Sequence, residues 1–263
     1  MLKEVVFLTG GSRGLGLAIL DKLLHGSMRT PAANVVTLSR SIPEDLKSLE
    51  ERFPENLAVV QGDVTNLDDN KRAVEEALKR WNRLDALILN AAIADFSRIE
   101  SLSSEVMLKT LNVNTVSLIT TIRSALPELR KHHGRVVFVS SGAALGNYAS
   151  WAPYNASKAA MNSIALTLAN EEPDVASFSI RPGVVDTDMQ GQIRDSNTMK
   201  TEEHERFLQM HKEGKLLPAE KPASVLAALA VRGSRTEPKK DGKALGDGVF
   251  ISWDDPALDD YHN

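Results

Sequence analysis

A short apolar run, Val5 to Thr9, opens directly into TGGSRGLG and then into a stretch with helical apolar spacing over 15–24. Strand, glycine turn and helix in that order limits the fold more than any other feature. It sets the turn's amides and a helix N-terminus facing an anion at the end of a strand. The same alternation runs on. Strand patterns fall at 34–39, 57–61, 84–89, 134–140, 175–180 and 248–253, and helical spacing at 43–52, 67–81, 103–126, 151–171 and 222–231. Strands separated by helices need parallel crossovers. The chain is therefore expected to form one α/β domain over 1–263, a doubly wound, mostly parallel seven-stranded sheet with helices on both faces. A length of 263 residues suffices for a full core.

The glycines Gly10, Gly14 and Gly16 are spaced GxxxGxG, and with Ser12, Arg13 and Leu15 they form a candidate phosphate site. A tight loop without a ligand is the competing reading. The second strand ends in Ser39 and Arg40, where dinucleotide folds place an acid for the ribose 2′-hydroxyl of NAD or an arginine for the 2′-phosphate of NADP. No acid stands there. Arg13 can approach the same phosphate from the glycine loop, so two arginines favour NADP(H) over solvated surface charge. Asp63 and Val64 follow the third strand, with Asp63 placed for an adenine edge or for capping the next helix. Asn90, Ala91 and Ala92 follow the fourth and allow a cofactor ribose to come close.

The stretch 136–160 carries the chemistry. A buried strand breaks at Ser140, Ser141 and Gly142, and the helix after it holds Tyr154 and Lys158 four residues apart on one face. Lowering a phenol from ~10 to about 7 takes roughly 4 kcal/mol. A cation at about 4 Å supplies that order of energy at an effective dielectric of ~20, so Lys158 is expected to tune Tyr154 as an acid or base. Ser141, at a strand end, is placed to hold a substrate carbonyl. Asn112 and Asn114 interrupt the 103–126 helix and either face solvent or bend it to reach something. Pro182 and Gly183 break the chain after the sixth strand, and the polar segment 187–217 beyond them reads as a lid over the substrate. After the last strand the tail is acidic and expected to be mobile.

Bulk composition excludes other classes. A net charge of -4 gives no nucleic-acid or anionic-membrane surface, and the N-terminal apolar run is too short for a signal or a membrane span. The absence of cysteine excludes disulfides and fits a reducing compartment, so the cytoplasm is expected. No pair among the six histidines has metal-ligand spacing with a third ligand.

TGGSRGLG, Asp63 with Val64, Asn90 to Ala92, Asn114 in LNVNTVS, Ser141, YNASK and PGVVDT together resemble the short-chain dehydrogenase/reductase family over nearly the whole chain. The resemblance implies a Rossmann-type fold and Tyr154 as general acid and base. It implies that Lys158 lowers the Tyr154 pKa and holds the nicotinamide ribose, that Ser141 orients the carbonyl, and that Asn114 anchors a relaying water. Pro182, Gly183, Val185 and Thr187 would then lie by the nicotinamide. It also implies a homodimer or homotetramer through the 103–126 and 151–171 helices. The run around YNASK is similar to the benzil-reductase branch, related to sepiapterin reductases. That implies NADPH-dependent reduction of one carbonyl of a small α-diketone, with a pterin diketone or a non-catalytic NADP-binding role as alternatives. Ile93 departs from the family's usual glycine at that position.

Overall fold

The computed structural model describes residues 3–262. Strands β1 (Val5–Thr9), β2 (Asn34–Ser39), β3 (Leu57–Gln61), β4 (Ala86–Leu89), β5 (Arg135–Val139) and β6 (Ala176–Arg181) are followed by a short hairpin, β7 (Lys239–Lys240) with β8 (Lys243–Ala244), and then by β9 (Asp247–Ser252). The main sheet runs β3-β2-β1-β4-β5-β6-β9. Each of its neighbouring pairs is parallel, so the expected doubly wound sheet is parallel throughout.

Strand side chains alternate between two apolar layers. Val6, Leu8, Ile88 and Val137 pack with α1 (Gly14–His25), α2 (Glu44–Arg52) and α9 (Glu220–Arg232). Val5, Phe7, Leu87 and Val136 pack with α3 (Leu67–Trp81), α5 (Ser117–Lys131) and α6 (Ala152–Glu171). Burial on both faces is why these strands read as continuous apolar runs. Strand order reverses between β1 and β4, and this places a crevice at the C-terminal strand ends. No helix among the described residues is long and apolar enough to cross a membrane.

Two expectations change. The 103–126 helix divides into α4 (Ser104–Leu111), a π-helical turn (Asn112–Val116) and α5. Asn114 is fully buried in that turn. It accepts from the Ile93 N–H (2.9 Å) and donates to the Ile93 carbonyl (2.8 Å) and to Ser157 Oγ (3.1 Å). The helix is thus distorted to reach the loop after β4, as π-turns at functional sites often are.

The acidic tail, expected to be mobile, is docked. A 3₁₀ turn (Pro256–Tyr261) is capped by Asp255 Oδ1, which accepts from the Ala257 N–H (3.1 Å). Leu258 is fully buried in the α1/α9 layer, and the Tyr261 ring lies 5.0 Å from the Arg232 guanidinium carbon. The outward carboxylates Asp259 and Asp260 hide this apolar face in the sequence. Leu258→Ala is accordingly expected to lower the unfolding free energy by about 2–4 kcal/mol in urea titration; a mobile tail would leave the midpoint unchanged.

Candidate active site

Helix α1 begins straight after the glycine turn with no side-chain cap, whereas Asn66 caps α3 through the Asp68 and Asp69 amides. The first-turn N–H groups of α1, at Gly14, Leu15 and Gly16, are left to the crevice they line. Gly16 cannot carry a side chain, because a Cβ there would stand 2.0 Å from the Gly10 carbonyl oxygen and 2.6 Å from Asn90 Nδ2. Gly10 itself is left-handed, at φ +73°. The Asn90 side-chain amide donates to the Thr9 and Gly10 carbonyls, both at 3.1 Å. Asn90 therefore braces the turn, and its amide is already used.

At the end of β2, Ser39 Oγ is buried with no partner, and the exposed Arg40 follows it. Arg13 faces Asp188 at the start of α7 (Asp188–Asp195), 3.3 Å away, both side chains well exposed. Such a pair is weak and easily exchanged. Asp63 Oδ1 accepts from Thr65 N–H and Thr65 Oγ1, both at 2.8 Å, and so shapes the turn after β3; the cap of α3 is Asn66.

The stretch from β5 to α6 sets the other end. Ser141 Oγ accepts from the Ala143 N–H (3.1 Å) and lies near enough to the Tyr154 phenol to pull its pKa downward. Lys158 Nζ donates to the Val139 carbonyl at 2.7 Å and stands 5.6 Å from the centre of the Tyr154 ring. Burial pushes the Tyr154 pKa up to about 12, against a smaller pull downward from Ser141. Burial also brings Lys158 down to about 7. Lys158 is not among the causes of the Tyr154 shift. In the chain by itself the ammonium is dehydrated too, so its charged form is itself disfavoured and it is no fixed cation.

Gly10, Ser12, Arg13, Gly14, Leu15, Gly16, Arg40, Asp63, Val64, Asn90, Ser141, Tyr154, Lys158, Pro182, Gly183, Val185 and Thr187 line one cleft of about 890 Å³. Asn114 does not; it lies behind the wall. Ile93 lines the cleft without backbone strain, since the non-glycine residues of positive φ among those described are Asn82, His133, Ser150 and Asp241. Sequence reasoning missed an aromatic wall. Trp151 packs on Phe96 (5.2 Å between ring centres), Tyr148 (4.8 Å), Tyr154 (5.9 Å) and Phe207 (5.8 Å), the last carried by α8 (Thr201–Lys212).

The sequence profile described as short chain dehydrogenase matches residues 4–198. The chain belongs to that family. A short chain dehydrogenase/reductase of Saccharomyces cerevisiae, solved as a crystal structure, superposes with a TM-score of 0.90 at 35% identity, covering 99% of this chain and 100% of that one. A benzil reductase ((S)-benzoin forming) of the same yeast is 33% identical over 251 residues, covering 88% of this chain and 91% of that protein. Another, of Bacillus cereus, is 31% identical over 235 residues, covering 85% and 92%.

Short-chain dehydrogenases are oxidoreductases that bind a nicotinamide dinucleotide, and the cleft of this member fits one. It offers uncapped helix amides for a diphosphate and an orphaned Ser39 hydroxyl beside a free-ended arginine.

The Lys158 shift has a measurable sign. Its folded pKa, about 7, lies below the ordinary lysine value, so between pH 7 and 10 the folded chain binds fewer protons than the unfolded one. Stability should therefore rise with pH across that window, by about 1 kcal/mol per unit. The raised Tyr154 pKa acts in the opposite sense, but only above pH 10. Urea titrations at pH 7.5 and 9.5 should show the rise in the wild type and lose it in Lys158→Met. Equal slopes in both would contradict the assignment.

Proposed function

We propose that this short-chain dehydrogenase is an NADPH-dependent carbonyl reductase that converts one carbonyl of an α-diketone to an α-hydroxy ketone. The observation that carries the reading is that Ser141, Tyr154 and the buried Lys158 line the same cleft as the Phe96, Tyr148, Trp151 and Phe207 rings. The first group suits proton delivery to a carbonyl oxygen and the second suits aromatic substituents such as those of benzil. Two benzil reductases among the relatives support the same substrate class.

Gly10, Ser12, Gly14, Leu15 and Gly16 would hold the diphosphate, and Arg13 with Arg40 the 2′-phosphate that selects NADPH. Asp63, Val64 and Asn90 would border the adenosine side, and Pro182, Gly183, Val185 and Thr187 the nicotinamide. Bound NADPH supplies the hydride. Tyr154, neutral at cellular pH with its pKa raised by burial, gives its hydroxyl proton to the substrate oxygen while Ser141 holds that oxygen in place. Lys158, titrating near neutrality, returns the proton to the phenol. Asn114 acts as a positioning residue, tying the loop after β4 to α6 through Ile93 and Ser157. A cysteine-free chain suits the cytoplasm.

Cofactor oxidation, followed against benzil, a linear α-diketone, a pterin diketone and a simple ketone with NADPH or NADH, tests this directly. We expect turnover of benzil with NADPH, weaker turnover with NADH, and a loss of about 10²-fold or more in kcat for Tyr154→Phe. An undiminished rate in that variant would sink the proton-donor role.

We also infer a homodimer or homotetramer through α4, α5 and α6, because Leu108, Val116, Ile119 and Leu166 stand exposed along this part of the chain. Sedimentation at micromolar concentration should show the oligomer, and Leu108→Glu combined with Ile119→Glu should shift it towards monomer. A monomeric wild type would rule the assembly out.

A further inference from the structure

Besides the two sheet layers, the described residues form a third, small apolar cluster beside the cleft, and the lid segment supplies much of it. Ile193, Met199 and Phe207 come from 187–217 and pack with Trp151 and Tyr154. The Tyr148 ring lies 5.8 Å from that of Phe207. A cluster built this way stays buried only while the lid rests on it. What holds the lid down therefore decides whether the aromatic wall exists.

Two hydrogen bonds from the lid run to the two loops that bear the wall. Thr198 Oγ1 donates to the Phe96 carbonyl at 2.6 Å, and Glu203 Oε2 accepts from the Ala149 N–H, between Tyr148 and Trp151, at 3.0 Å. A carboxylate acceptor makes the second the stronger kind. Glu203 is the third residue of α8, where a glutamate commonly turns back to the N–H at the start of its own helix. Here it reaches across to another segment instead. The turn it reaches needs holding, because the buried Ser150 is left-handed at φ +65°, a conformation that a non-glycine residue keeps only when its surroundings impose it. Ser150 Oγ donates to the Ala149 carbonyl at 2.5 Å, so both backbone groups of Ala149 are tied. Phe207, four residues after Glu203 and so on the same face of α8, stacks on Trp151 at 12° between ring planes. Clasp and stack engage one loop together.

We propose that Glu203 is a positioning residue that sets a preference for aryl-substituted carbonyl substrates: its carboxylate clasps α8 to the 148–151 turn and holds the Tyr148, Trp151 and Phe207 rings as one wall. The proposal rests on the carbonyl-reductase reading above and adds to it the group that maintains the selective surface. Glu203 does not itself line the cleft, so it acts through these rings and not on the substrate. The reacting carbonyl stays with Ser141 and Tyr154 whether or not the clasp is made. Losing the clasp therefore weakens binding of the aryl groups and spares the chemical step, and a substrate too small to reach the rings is indifferent to it.

The test uses the full chain with NADPH and two α-diketones, benzil and diacetyl, which share the reacting group and differ in the phenyl rings. Glu203→Ala removes the acceptor, whereas Glu203→Gln keeps a carbonyl oxygen that can take the same N–H without the charge. NADPH affinity equal to the wild type's checks that each variant is intact. We expect Glu203→Ala to raise the benzil KM about tenfold, with benzil kcat and diacetyl kcat/KM each changed less than about twofold, and Glu203→Gln to bring the benzil KM back to within about threefold of the wild type. Independently of turnover, trypsin should cut the cofactor-free Glu203→Ala chain within α8 about tenfold faster than the wild type or Glu203→Gln. Equal losses on the two diketones, an unchanged benzil KM, or a glutamine variant as impaired as the alanine one overturns the proposal. A wild type that reduces neither diketone removes the reading of function and the selectivity with it, while the trypsin comparison still decides the clasp.

Discussion

The hydrogen bond from Lys158 to the Val139 carbonyl fixes how the site is assembled. A fully buried amine has few ways to be satisfied, and this one is aimed at the last residue of β5, two before Ser141. It straps α6 to the strand end, which limits how far Tyr154 can drift from Ser141. The neighbouring Ser157 forms a second strap. It donates to the Tyr154 carbonyl and accepts from Asn114, whose other bonds run to Ile93 after β4. Two strand ends and one helix are thereby locked together by buried polar groups, which rigidify a site when every member has a partner.

These straps explain what could be read from the sequence. β1, β2 and β3 were legible to the residue, because each is a short, largely apolar or β-branched run closed by a glycine or an arginine. β4 begins two residues later than its apolar run. Asp85 there is spent on a bidentate pair with Arg83 and on the Val5 N–H. The glycine turn and the Tyr154/Lys158 spacing were legible because they are local. The π-turn showed only as misplaced asparagines, its partners Ile93 and Ser157 being distant in sequence. The aromatic wall gave no signal at all. Phe96, the Tyr148 and Trp151 loop, and Phe207 come from three separate segments, and each ring alone reads as ordinary core.

The electrostatics were the least legible part. Spacing places an ammonium one turn from a phenol, and charge attraction at that range favours phenolate. Spacing does not report dehydration. Burial acts on both groups, raising Tyr154 to about 12 and lowering Lys158 to about 7. The two shifts have the same origin and leave both groups inclined to neutrality. In the proposed carbonyl reduction this would have a use, because a neutral phenol keeps the proton that the substrate oxygen needs.

The unpaired groups then acquire a common explanation. Among the described residues, the buried side-chain atoms without partners are Ser39 Oγ, Trp151 Nε1 and Gln190 Nε2, which belong to residues of the one cleft, and Asn155 Oδ1, which does not. Ser39 stands at the end of β2 beside Arg40, whereas Trp151 stands at the start of α6 beside Tyr154. Much of the remaining interior is satisfied by side chains, as by Asn70, which donates to Val64 and Asn66 and accepts from Thr121. Satisfying the cleft in the same way would have been inexpensive for a sequence under pressure only to be stable. Polar groups left unsatisfied around a groove forgo stability that a chain shaped only for stability would keep, which is the usual mark of a surface shaped for binding.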